Sequence, residues 1–150
     1  MDIQGEVVVD ASQEEVWRAL NDPEVLQKAT PGCKSLTEVE PDGYKAEITL
    51  GIAAVRGEYE SELKILEKSP PNQYRLIINA ESSMGFVQGD ALVTLRYQDD
   101  KTYIQYNGTA QAGGLIASVG QRILSGIAKL IVKDFFKKIV KEINAAKIDS

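Results

Sequence analysis

Phenols, carboxylates, lysines and a single thiol are the reactive side chains of this sequence, and histidine is missing altogether. Without histidine there is no Ser-His-Asp or Cys-His nucleophile, and the commonest metal ligand is gone. Cys33 is the one cysteine, so neither a Cys-rich zinc site nor an internal disulfide is available. A reactive thiolate there needs a base or cation close by. Lys34 adjoins it in sequence only, and the simpler reading is a small, partly buried residue after a turn. Asp90 follows Gly89 and reads as a turn residue or, in the sharper alternative, a catalytic carboxylate. Glu58, Glu60 and Glu62 alternate along one strand face, where solvation explains them. No Walker or dinucleotide glycine pattern occurs.

Tyr44, Tyr59, Tyr74, Tyr97 and Tyr106 all fall on the strand face predicted to point inward. They form either an aromatic core with hydroxyls bonded to backbone, or a cavity wall whose phenols orient an apolar ligand. Trp17 reads as core filler beneath the first helix. Lys129, Lys133, Lys137 and Lys141 recur every fourth residue, with Lys138 beside them. Such a stripe is a solvated helix face, or it meets anionic lipid or an acidic protein surface.

The elements that position these groups follow from periodicity. Ile3 to Val9 reads as a strand. Ser12, three residues before Glu15, is a capping box opening a short helix, and Asp22-Pro23 starts a second that Thr30-Pro31-Gly32 ends. The period then becomes two. Strands are predicted around Tyr44–Ile52, Arg56–Ile65, Tyr74–Ser82, Phe86–Tyr97 and Ile104–Ala112, joined by tight turns and therefore antiparallel. Gly113-Gly114 is expected to break the sheet, and one helix to run over about residues 115–143. Its predicted apolar stripe is Ile116, Val119, Gly120, Ile123, Ile127, Leu130, Ile131 and Phe135. The result is an α+β chain: a curved antiparallel sheet of about seven strands wrapped around a long C-terminal helix, with two short helices after the first strand. Gly57, Ser61, Ala80, Ala91, Gly108, Ala110 and Ala112 are small and inward, so the helix packs very close or a cavity remains.

At 150 residues the chain is read as a single domain, residues 1–150. Net charge is −5, which disfavours nucleic acid, and it is uneven: −8 over residues 1–128 and +3 over 129–150. No basic residue precedes an apolar run at the N-terminus and no stretch reaches ~18 apolar residues, so the expectation is a cytoplasmic protein.

Four segments lie at strand and helix junctions: Pro31-Gly32-Cys33, Gly85-Phe86-Val87-Gln88-Gly89, Ala112-Gly113-Gly114-Leu115-Ile116-Ala117 and Gly120-Gln121-Arg122. With their order, the chain resembles the carbon monoxide dehydrogenase G-subunit family over about residues 1–143. That family lies in the helix-grip superfamily with START lipid-transfer and Bet v 1-like proteins (SRPBCC). The resemblance implies a deep hydrophobic cavity, and with no catalytic constellation visible in the sequence the chain is read as a binding protein rather than an enzyme. It also implies an accessory role beside a molybdenum hydroxylase of the carbon monoxide dehydrogenase type, with a quinone or lipid-like ligand and no covalent cofactor. Many relatives carry a C-terminal tail proposed to meet the membrane, whereas this sequence ends at Ser150. The lysine stripe, Lys129, Lys133, Lys137, Lys138 and Lys141, is the expected weak contact with an inner membrane surface.

The expected pocket holds about 300–1,000 Å³. Its walls are Tyr59, Leu63, Ile78, Leu95 and Tyr106 on the sheet and Ile123, Ile127 and Ile131 on the helix, with Ala110 beside the ligand and Phe86 at the glycine-rich mouth. Two rivals stand beside this reading: a cyclase- or hydrolase-type enzyme acting in the same cavity, and a solid-cored structural protein acting through its surface.

Overall fold

The computed structural model describes residues 1–149. Strand β1 (Asp2–Val9) leads into α1 (Gln13–Leu20) and α2 (Pro23–Ala29). Six strands follow: β2 (Cys33–Glu40), β3 (Gly43–Leu50), β4 (Gly57–Ser69), β5 (Gln73–Ser82), β6 (Gly85–Gln98) and β7 (Lys101–Gly114). The long helix α3 (Gln121–Asp149) closes the chain. The strands make one curved sheet in the order β1-β7-β6-β5-β4-β3-β2, antiparallel at every pairing. Each tight turn places consecutive strands side by side, and β1 crosses over to pair with β7.

The local signals are the ones the residues carry. Ser12 Oγ accepts from the Glu15 amide at 3.2 Å, and Glu15 Oε1 accepts from the Ser12 amide at 3.3 Å. Asp22 caps α2 by accepting from the Glu24 amide at 3.0 Å, with Pro23 at the first helical position. Asp99 and Asp100 both adopt positive φ, 55° and 62°, which a two-residue hairpin turn between β6 and β7 demands. Gly32 sits at φ 72°, and a Cβ there would fall 2.1 Å from the Thr49 carbonyl oxygen. Only glycine fits where α2 hands over to the sheet.

Three expectations need correction. The strand β2 has no counterpart among the strands expected from periodicity. It is an edge strand with register shifts near Cys33 and Glu38, so its side chains do not alternate cleanly. Gly113 and Gly114 do not break the sheet, because β7 continues through them and Gly114 pairs with Gly85. The long helix also begins later. Leu115–Val119 is a 3₁₀ turn, Gly120 breaks the path at φ 102°, and α3 then runs to Asp149, 29 residues or ~43 Å.

Side chains bury in two clusters rather than one. The larger joins Val9, Val16, Leu20, Leu26 and Ala29 to Tyr44, Ile65, Tyr74, Val93, Leu95 and Ile104, with Phe136, Ile139 and Ile143 from α3. Here α1 and α2 brace the C-terminal half of the long helix against the sheet, and Phe136 stacks on Tyr106 at 4.8 Å. The smaller joins Val55, Tyr59, Ile116 and Leu124 at the other end. Each fully buried aliphatic side chain contributes about 1.5–3 kcal/mol, so both ends are firmly held.

Candidate functional site

The middle of the concave face lies between these clusters. Register places Ala46, Ser61, Ala80, Val87 and Ala112 directly opposite one another across β3 to β7. The next row reads Tyr44, Leu63, Ile78, Gly89 and Ala110, and the one after it Ile65, Leu76, Ala91 and Gly108. Small residues thus form a continuous floor where the helix side chains above are only half-buried, Ile127 and Ile131 among them. Ile78 is 36 % exposed although it sits mid-sheet on the inner face. A Cβ built at Gly89 would meet nothing closer than 4.0 Å. Buried Ala46 and Ala110 belong to neither cluster. Side chains in this region are small or only partly covered, in contrast to the two clusters at either end.

Leu63, Ile78 and Ala110 share the inner face here, and Ile127 and Ile131 are half-buried on α3. Leu63 also packs against the large cluster, while Tyr59 is buried in the small one and Ile127 packs against it. Leu95 is 6 % exposed and packed in the large cluster, and Tyr106 is occupied by Phe136 and covers Gly5. Two expected residues lie elsewhere. Phe86 is on the outer face, in register with Glu81 and Gly113, and its ring covers Gly113. Strand alternation decides this: Val87 and Gly89 point inward, so Phe86 cannot. Ile123 is 55 % exposed because Leu124 takes the buried position in the first turns of α3. The break at Gly120 resets the helical phase, so the buried stripe is Leu124, Phe136, Ile139 and Ile143, while Leu130 is 60 % exposed.

The phenols are mostly committed. Tyr59 Oη donates to the Val55 carbonyl at 2.6 Å, and burial pushes its pKa up. Tyr74 is buried against Trp17, and burial raises its pKa far more. Tyr97, placed inward by alternation, is 49 % exposed because it lies at the far end of β6, past the core. Signals for Ser61 and Gly89 were present in the alternation, but only the register across strands shows that they adjoin.

Three clefts open on the protein. One of about 490 Å³ runs along Lys34, Glu47, Glu58, Tyr59 and Glu81. Another, of about 690 Å³, runs across the sheet along Glu60, Glu62 and Phe86, and its lining also takes in Ala46, Ser61, Ala80 and Val87. The third, about 460 Å³, lies between α2, Cys33 and Lys138. All are open and lined by charged groups, which suits solvent better than an apolar ligand. The Cys33 thiol donates to the Ser35 carbonyl at 3.3 Å, and burial raises its pKa, so it is not poised as a thiolate. Asp90 is exposed on the outer face and pairs with Arg75 at 3.4 Å. Lys129, Lys133, Lys137 and Lys141 are exposed on α3, whereas Lys138 pairs with Asp134 at 2.9 Å and leaves the stripe. No helix among the described residues is long and apolar enough to cross a membrane. No acidic, cysteine or histidine cluster among them is suited to a metal.

A curved seven-stranded sheet closed over by one long helix, with a floor of small residues between, defines a helix-grip fold of the START and Bet v 1-like kind. The chain belongs to the CoxG family, the G-subunit family of carbon monoxide dehydrogenase, whose model matches residues 5–144. It is similar to a conserved protein from Geobacillus kaustophilus, at 41 % identity over 97 % of each chain with a TM-score of 0.94. A START superfamily protein from Mycobacterium smegmatis shares the fold at 10 % identity, TM-score 0.75, over 97 % of this chain and 98 % of that one. Ara h 8.0201 does so at 14 % identity, TM-score 0.75, with the same coverage. No curated protein sequence matches significantly. Family and fold together indicate a protein that binds a hydrophobic ligand in an accessory role.

Proposed function

We propose that this protein carries a quinone or lipid-like molecule between sheet and helix, without transforming it, in the service of a molybdenum hydroxylase of the carbon monoxide dehydrogenase type. The observation that carries the reading is the unfilled middle of the concave face, with Ile78 exposed and Gly89 open above a floor of small residues. An apolar, sheltered space with few polar groups holds ligands by burial rather than by reaction. The exposed lysines of α3 give a weak, reversible attraction to an anionic membrane on the cytoplasmic side, from which such a ligand is drawn.

Gly89→Leu tests the space itself. Native mass spectrometry of protein purified from its own cells should show a small apolar adduct on the parent and none on the variant. The variant should melt within a few degrees of the parent, because leucine enters open space. Overpacking a filled interior costs ~1–3 kcal/mol, so a much lower melting temperature, or an adduct that persists, counts against the carrier.

A further inference from the structure

We propose that Ser61 is the polar anchor of this chamber, and that the ligand therefore joins an apolar body to a carbonyl-type oxygen that accepts from the Ser61 hydroxyl. The inference rests on the carrier reading and adds to it the chemistry of the bound molecule.

Ser61 is only 6 % exposed and lies on the inner face of β4, sharing alternation with Tyr59, Leu63 and Ile65. Its neighbours directly across are Ala46 on β3 and Ala80 on β5, and neither side chain can hydrogen-bond. Among the described residues its hydroxyl has no partner, yet the atom is not sealed from the space around it. The comparison within the molecule is direct. Thr102, the other buried residue with an aliphatic hydroxyl, is fully covered and donates to the Ala11 carbonyl at 2.7 Å. Tyr59, the preceding inward residue of β4, spends its hydroxyl on Val55. A hydroxyl with no protein partner and some access to the space beside it is left to bond either water or a ligand held there. A single polar group on an apolar floor also orients a ligand with one oxygen at one end.

The test uses 1-tetralone and tetralin, which share a fused-ring skeleton and differ by one carbonyl. Neither adds to the Cys33 thiol. Affinities for both are measured by calorimetry on the parent, Ser61→Ala and Ser61→Thr. Comparing the tetralone-to-tetralin ratio between proteins cancels the difference in their hydration. That ratio should fall about fivefold from parent to Ser61→Ala, and Ser61→Thr, which keeps the hydroxyl, should retain the parent's preference. Ser61→Ala should melt at or above the parent's temperature. An unchanged ratio, with tetralin still bound, overturns the anchor and leaves the carrier standing. A melting temperature many degrees lower shows that the hydroxyl is already bonded within the protein, and also overturns it. Binding of neither compound by the parent removes the carrier and the anchor together.

Discussion

Ser12 and Glu15 hold each other in a reciprocal cap, and the pair makes the start of α1 sensitive to acid. The Ser12 hydroxyl, then its backbone amide, lowers the Glu15 pKa from its ordinary value of 4.5. A depressed carboxylate stabilises the fold above its unfolded pKa and loses that contribution as pH falls through the lower folded value. Ser12→Ala should therefore cost about 1 kcal/mol at pH 7 in urea melts. The gap between Glu15→Gln and the parent should narrow as pH falls below 4.5, and a gap that does not change with pH removes the carboxylate charge from the cap. Cys33 gives a second residue-scale expectation. Its thiol is raised above 9.0 by burial, so alkylation by iodoacetamide should be slow at pH 7 and still be climbing past pH 9. A rate that levels off near neutral pH means an activated thiolate instead.

Among the elements, α3 is where physics and pattern part. Isoleucines and leucines surround much of its first half, so apolar spacing permits more than one buried face. Gly120 decides between them by ending the 3₁₀ turn at positive φ and setting the rotation at which Gln121 begins. The outcome is measurable as a pair of substitutions. Ile139→Ala removes a side chain with no exposure and should cost about 2–5 kcal/mol. Ile123→Ala, at a position 55 % exposed, should stay within about 0.5 kcal/mol in the same urea melts. Equal costs at the two positions would show that the helix is rotated from the face described.

At the scale of the molecule, charge and shape are separated. The outer sheet face carries Glu47, Glu60 and Glu81 directly opposite one another, while α3 exposes Lys129, Lys133, Lys137 and Lys141. Each such lysine is worth about 1 kcal/mol at most near an anionic surface, so attraction is weak and screened by salt. Co-sedimentation with phosphatidylglycerol-rich vesicles should be detectable at low ionic strength and vanish near physiological salt. Reversing Lys129 and Lys133 to Glu should abolish it. Binding that survives both changes points to apolar insertion rather than the lysine stripe.

Sequence alone determined the order of the elements other than β2, both short-helix caps and the alternation that puts small residues on the inner face, because turn chemistry, capping and period-two alternation are local and each leaves its mark within a few residues. It also suggested the family, through glycine-rich segments at the junctions. The edge strand β2 was illegible, since bulges destroy alternation. Phe86 was drawn to the cavity mouth by its flanking glycines, although its own parity with Gln88 and Asp90 sets it outside. What tertiary structure decided was which residues adjoin. Ser61, Ala80 and Gly89 come from three strands, and only pairing across the sheet makes them one surface. That the core divides into two clusters is a property of how one helix lies across a curved sheet. No spacing within a strand or helix encodes that placement.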